Sequence, residues 1–224
     1  MEQKPLNLLE TRQALVAALT TLSSKADYLN QLDQALGDGD HGSTIRRGSD
    51  AAIRDLQAAT FATVNQQFEA IGSAMMNSMG GASGILFGVL FRSARNCPAS
   101  EAMDAATLAG FLRRGLNDLK RKSPAGVGDK TMMDALVPAV EALEAKQAEP
   151  LATALRSATS AAKQGAQSTV GMLARFGRAT ALGERVREAQ DPGATSVALF
   201  LESLTAAAEI SFDSIHRNFM QKGS

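Results

Sequence analysis

An all-α fold follows from three features of this chain. Apolar residues recur at helical spacing in almost every long segment, extended apolar–polar alternation is nearly absent, and alanine dominates where strands would draw on Val, Ile, Tyr or Phe. Aromatic residues are 4% of the chain, so the helices must meet on small side chains and pack closely.

The elements follow in order. Leu8, Leu9, Leu15, Leu19 and Leu22 mark a first helix. Further helices are expected near 25–36, 42–58, 65–79, 84–96, 104–121 and 150–165. Met132, Leu136, Val140 and Leu143 form an apolar stripe after Gly128, with Glu141, Glu144 and Lys146 between them. Leu199, Leu201 and Leu204 anchor a last helix that is expected to run past Phe212. The breaks are short and rich in Gly, Pro, Asp or Ser: GDGDHGS, GGASG, NCPASE, KSPAGVGD and AQDPGAT. Four of the five precede a new helix, which suits an up-and-down assembly with its functional loops gathered at one end. No long composition shift marks a linker, and a single domain over 1–224 is expected.

Charge and composition exclude several classes. Lys+Arg and Asp+Glu are both 23, so no whole-molecule field favours nucleic acid or an anionic membrane. Cys97 is the single cysteine, which rules out an intrachain disulfide and argues against a cysteine zinc site. MEQKPLNLLE lacks the pattern of a signal peptide, and no apolar stretch approaches the roughly 18 to 20 residues that span a bilayer. The cytoplasm is the expected compartment.

The segment Asp33 to Thr44 carries the chemistry. Gly37-Asp38-Gly39-Asp40-His41-Gly42 matches the dinucleotide fingerprint by letter, but a helix leads into it instead of a strand. A P-loop would need a Lys where Ser43 stands, and an EF-hand beginning at Asp38 would need Gly at Ser43 and Glu at Ser49. Three carboxylates remain, Asp33, Asp38 and Asp40, within eight residues. Gly37 and Gly39 let the backbone turn sharply enough to aim them together. Hard oxygen donors suit Mg²⁺ or Mn²⁺. His41-Gly42-Ser43-Thr44 then opens a helix whose free N–H groups and hydroxyls can receive phosphate oxygens.

A second glycine cluster, Gly80-Gly81-Ala82-Ser83-Gly84, precedes the apolar run Ile85 to Phe91 and offers another helix start. Plainer readings stand beside these. The acidic turn can be a polar turn with an N-cap, and Gly80 to Gly84 can serve close packing. Asp129 and Asp191 can be N-caps of the helices after them. Lys130 reads as a first-turn lysine, and Arg178 can belong to a solvated basic face with Arg175, Arg185 and Arg187. Met75-Met76 and Met132-Met133 read as core filling, and His216 as a surface residue.

Taken in order, several blocks resemble the L (nucleotide-binding) subunit of bacterial dihydroxyacetone kinases of the phosphotransferase-system type. They are Leu32-Asp33, Gly37 to Gly42, Arg47-Gly48, Gly80 to Gly84, Gly128 to Met132, Ala166 to Thr169, Gly177 to Ala179, Leu182 to Arg185 and Gln190 to Ser196. The resemblance implies a barrel of eight antiparallel helices with the nucleotide at one end. It implies that Asp33, Asp38 and Asp40 ligate two Mg²⁺ ions that bridge the phosphates of ADP or ATP. His41, Gly42, Ser43, Thr44, Ala82 and Ser83 would hold those phosphates. Met132 would pack by the adenine, and Arg178 with Asp191, Pro192 and Gly193 would close over the nucleotide.

The same resemblance implies partners: a K subunit that carries dihydroxyacetone or a related ketose, and an M subunit that rephosphorylates ADP in place. No residue is singled out for covalent catalysis, since phosphoryl transfer asks mainly for positioning and charge neutralisation. The alternative is a nucleotide-sensing module that regulates a transcription factor or another partner. A fatty-acid-kinase-type nucleotide domain is a third reading, less consistent with QDPGATS.

Overall fold

Asn7 opens the helical part of the chain with a reciprocal cap. Its side chain accepts the N–H groups of Leu9 and Glu10, and Glu10 accepts the Asn7 N–H at 2.8 Å. In this computed structural model residues 4–220 are described, with 211–220 described as helical backbone alone. Helix α1 is Leu8–Ser24, and α2, Ala26–Gln34, follows after the single residue Lys25. Then come α3 (His41–Ala58), α4 (Val64–Ser78), α5 (Gly81–Arg92), α6 (Ala105–Lys120), α7 (Met133–Ala145), α8 (Leu151–Ser168) and α9 (Pro192–Met220). Thr63 and Asp104 cap α4 and α6 through side-chain oxygens. Two tight 3₁₀ segments lie at Ser93–Asn96 and Arg178–Glu188.

The expected helical content is present, and α9 runs past Phe212 as expected. One departure is a two-residue antiparallel pair, β1 (Leu6–Asn7) with β2 (Ala102–Met103), which fastens the N-terminal end to the loop before α6. Two-residue strands leave no periodicity to read. The side chain of His216 lies outside the described residues. No helix among the described residues is long and apolar enough to cross a membrane.

Each helix from α3 to α8 packs on its successor, α9 returns to pack on α1, and α1 lies on α3. The enclosed core is aliphatic, including Leu15, Leu19, Ile45, Leu56, Ile71 and Leu136. The few aromatics meet edge-on: Phe68 with Phe111 at 5.2 Å, and Phe91 with Phe200 at 5.0 Å between ring centroids.

Close packing on small residues goes as far as backbone contact. A Cβ on Gly165 of α8 would stand 2.0 Å from the Asp134 carbonyl oxygen of α7. Pro138 lies one helical turn after Asp134 and has no N–H to bond that carbonyl, which leaves room for α8 to lie against it. A Cβ on Gly42 of α3 would likewise stand 1.8 Å from the Ala26 carbonyl oxygen of α2. Gly110 of α6 has open space where its Cβ would be. Gly165→Ala is therefore expected to destabilise the chain by about 1–3 kcal/mol through overpacking. Gly110→Ala is expected to stabilise it by up to about 1 kcal/mol through helix propensity. Urea unfolding midpoints of the two variants, compared with the parent, check this pair.

Candidate functional site

Four of the five breaks, the four that contain glycine, converge on one cavity of about 690 Å³ at an end of the helical assembly. The acidic turn after α2, the start of α5, the loop before α7 and the start of α9 all line it, joined by Phe176 to Ala179. The fifth break, 96–101, lies elsewhere, where the Asn65 side chain holds the carbonyls of Ala94, Cys97 and Pro98.

Asp33, in the last turn of α2, organises the acidic turn. Its Oδ2 accepts the N–H of Asp40 at 2.9 Å and of His41 at 3.1 Å, so a side chain on α2 caps the start of α3. Gly39 turns the chain between them at φ 75°. One carboxylate oxygen each from Asp33, Asp38 and Asp40 then lies within 4.8 Å of the others, Asp33 half-buried and the other two exposed. Three like charges this close favour a cation, and an all-carboxylate donor set fits Mg²⁺ better than a softer metal. Arg178, from the loop over the cavity, forms an ion pair with Asp38.

The four residues that open α3 divide. His41 and Thr44 line the cavity, but Gly42 and Ser43 do not. Asn30 of α2 occupies Ser43 fully, accepting its N–H at 2.9 Å and donating to its hydroxyl oxygen at 3.0 Å. Gly42 meets the α2 backbone. These two therefore join α2 to α3, with the Ser43 amide and hydroxyl already held by Asn30.

His41 is 8% exposed, and its hydrogen-bond partners define its tautomer. The Ser196 hydroxyl donates to the Pro192 carbonyl at 2.8 Å, so its oxygen accepts from His41 Nε2–H at 2.9 Å. Nδ1 is then the acceptor for the Ser83 hydroxyl at 3.4 Å. Burial lowers the His41 pKa to about 4 despite the nearby Asp33 charge, so the ring is neutral at pH 7. One imidazole thus ties together the N-terminal ends of α3, α5 and α9.

At the second glycine cluster, Gly80 and Gly81 have φ of 72° and 60° and turn the chain into α5. Ala82 and Ser83 sit in its first turn, at the cavity wall, where helix N–H groups have no intrahelical acceptor. Met132 and Met133 are both buried and both line the cavity, so the second methionine pair faces the site as well as the core. Apolar Leu119, Ile85, Phe87 and Phe176 complete that side.

Asp191 caps α9, accepting the Ala194 N–H at 2.7 Å. Gly193 sits against Met132, whose Cβ would be 3.3 Å from an added methyl. Asp129 is not a helix cap: it accepts the Gly126 N–H at 2.8 Å and pairs with Arg175, while α7 begins only at Met133. Lys130 is no first-turn lysine either, since it lies in the loop with φ 58° and its ammonium is buried.

Sequence reasoning gave no role to Arg47, which donates to Thr44 Oγ1 and the Met79 carbonyl, both at 3.0 Å, and lines the cavity. Its place in the Arg47-Gly48 block was the available signal.

The comparison with family models falls where this geometry leads. The DAK2 domain matches residues 35–206. The chain belongs to the DAK2 family. Among its curated DAK2 relatives, the ADP-binding subunit of PEP-dependent dihydroxyacetone kinase of Escherichia coli is 39% identical over 190 residues, 84% of this chain and 90% of that one. The ADP-binding subunit of the PTS-dependent enzyme of Lactococcus lactis is 33% identical over 177 residues, 79% of this chain and 85% of that one. A solved structure, the dihydroxyacetone kinase from C. freundii in complex with AMP-PNP and Mg²⁺, superposes with a TM-score of 0.71 at 28% identity. The superposition covers 92% of this chain and 35% of that longer one.

A buried carboxyl of the DAK2 cavity, Asp191, is pushed toward neutrality. Burial raises the Asp191 carboxyl to about 7, with Asp134 acting in the same direction and the Ala194 N–H and Lys130 opposing. A carboxyl raised on folding stabilises fully below its unfolded pKa, about 3.9, and loses that contribution as pH rises through its folded value. The nucleotide-free chain should therefore lose stability between pH 4 and about 7, and Asp191→Asn should flatten that decline. Urea midpoints at pH 5 and pH 8 for both proteins test it, and equal slopes would contradict the assignment.

Proposed function

We propose that this chain is the ADP-binding subunit of a cytoplasmic dihydroxyacetone kinase. In this reading it holds the phosphoryl group on a Mg-bound nucleotide and hands it to dihydroxyacetone, or a related ketose, carried on a K subunit. The observation that carries the reading is the meeting of Asp33, Asp38 and Asp40 with the starts of α3, α5 and α9 around one cavity. The printed names of the relatives support it. The fold reading is a barrel of eight antiparallel helices, in which α1 and α2 form one member bent at Lys25. The packing order and the return of α9 to α1 support that count.

Within this reading Asp33, Asp38 and Asp40 would hold Mg²⁺, two ions in the arrangement the resemblance implies. The metal would supply charge neutralisation to the phosphates at this turn. The amides of Ala82 and Ser83 and the Thr44 hydroxyl face the phosphates. Met132 faces the base, and Arg178 and Asp191 to Gly193 close over the nucleotide. The acceptor lies on the partner, so the chain's own residues bind, orient and exclude water. An M subunit that rephosphorylates bound ADP in place is the donor in the reading that follows the PTS-dependent relative.

Native mass spectrometry after exhaustive dialysis tests the binding. Retained ADP with magnesium is expected, and Asp38→Ala or Asp40→Ala should lose both. A variant that keeps ADP and metal normally would refute the metal assignment. Triose phosphate formation with a K subunit and either a phosphorylated M subunit or ATP tests the transfer, and no product with either donor would sink the functional reading.

A further inference from the structure

The loop 170–190 supplies Phe176, Gly177, Arg178 and Ala179 to the cavity wall, and it has little packing of its own. Of its 3₁₀ segment, only Val186 is buried. Its two feet are joined at the base. The Asp191 N–H donates to Thr169 Oγ1 at 2.8 Å, and the Gly171 N–H donates to the Arg187 carbonyl at 2.8 Å. Lys130 belongs to neither foot. Its ammonium donates to the Thr169 carbonyl at 2.5 Å on one side and to the Ala189 carbonyl at 2.6 Å on the other. Two residues further along its own loop, Met132 stands in the cavity wall. One buried cation therefore joins three segments.

The backbone marks the position as unusual. Lys130 has φ 58°, a conformation that glycine adopts freely and other residues rarely do. An ammonium is also among the least favourable groups to bury, and it is retained only with partners. Burial lowers the Lys130 pKa, while Asp191 and Asp134 oppose that shift and favour the charged form.

We infer that Lys130 is a positioning residue whose ammonium staples the base of the 170–190 loop and thereby sets how slowly bound nucleotide leaves the cavity. The inference rests on the nucleotide reading of the cavity. Without the staple the feet part more readily, and the wall that carries Phe176 and Arg178 opens more often. Association is little affected, because the acidic turn and the start of α5 are untouched.

The experiment compares the full chain with Lys130→Met and Lys130→Gly, the second of which also relieves the backbone. The probe is a fluorescent ADP with magnesium, displaced by excess unlabelled ADP in a stopped-flow instrument. Both variants should release the probe about tenfold faster or more, with an association rate near that of the parent. Amide hydrogen exchange should quicken in 170–190 and not across the helices. Should these two variants fail to fold, Lys130→Gln, whose shorter neutral head can donate to fewer of the two carbonyls, should give a smaller acceleration in the same direction. Parent-like release in a folded variant overturns the inference, as does exchange that quickens throughout the chain. If the parent itself binds no Mg-ADP, the proposed function falls together with this inference, whereas binding by the parent with unchanged release in the variants removes the staple alone.

Discussion

Backbone contact between helices is the constraint from which the rest of the molecule follows. With so few aromatic residues, the core cannot be filled by large side chains spanning wide gaps, so the helices close until main chain meets main chain. Gly165 against Asp134, Gly42 against Ala26, and Gly72 against Gly88 are such meetings. The Gly42 contact also has a functional consequence. It presses α2 onto the first turn of α3, and that closeness lets Asp33 reach across the turn to Asp40 and His41. The carboxylate cluster is thus an outcome of helix packing as much as of loop sequence.

Most helices were legible because each depends on a single amphipathic stripe, and the expected and observed ranges differ by a few residues for α3, α4 and α6. The acidic turn was legible because glycine and aspartate at that spacing leave few alternatives once the two phosphate-binding motifs and the calcium loop fail, on the helix that leads in and on Ser43 and Ser49. What stayed hidden depends on distance in the chain. Nothing around Ser43 tells that Asn30, thirteen residues earlier, will occupy its amide and its hydroxyl. Nothing around Lys130 tells that its partners are the carbonyls of Thr169 and Ala189, since main-chain acceptors carry no residue signature. The 3₁₀ segment 178–188 lacks an apolar period because only one of its residues is buried.

The site divides its labour by stiffness. Asp33, Asp40 and the amide groups stand at helix ends that the core holds in place, and Asp38 stands in the short turn between them, whereas Arg178 stands on a loop held at its base. Groups that must meet a fixed charge distribution gain from the rigid mounting, and a wall that must admit and release a ligand gains from the looser one.

The run of hydrogen bonds through Ser83, His41, Ser196 and the Pro192 carbonyl has a consequence for chemistry as well as for architecture. Histidine is a common covalent way-station for phosphorus in relays between proteins, because an unencumbered imidazole nitrogen is a good nucleophile at neutral pH. Here one ring nitrogen bears the proton and gives it to Ser196, and the lone pair of the other is already engaged by Ser83. The His41 ring is thereby committed to holding three helix ends together, and a phosphoryl group arriving there would first have to displace the Ser83 hydroxyl from its free nitrogen.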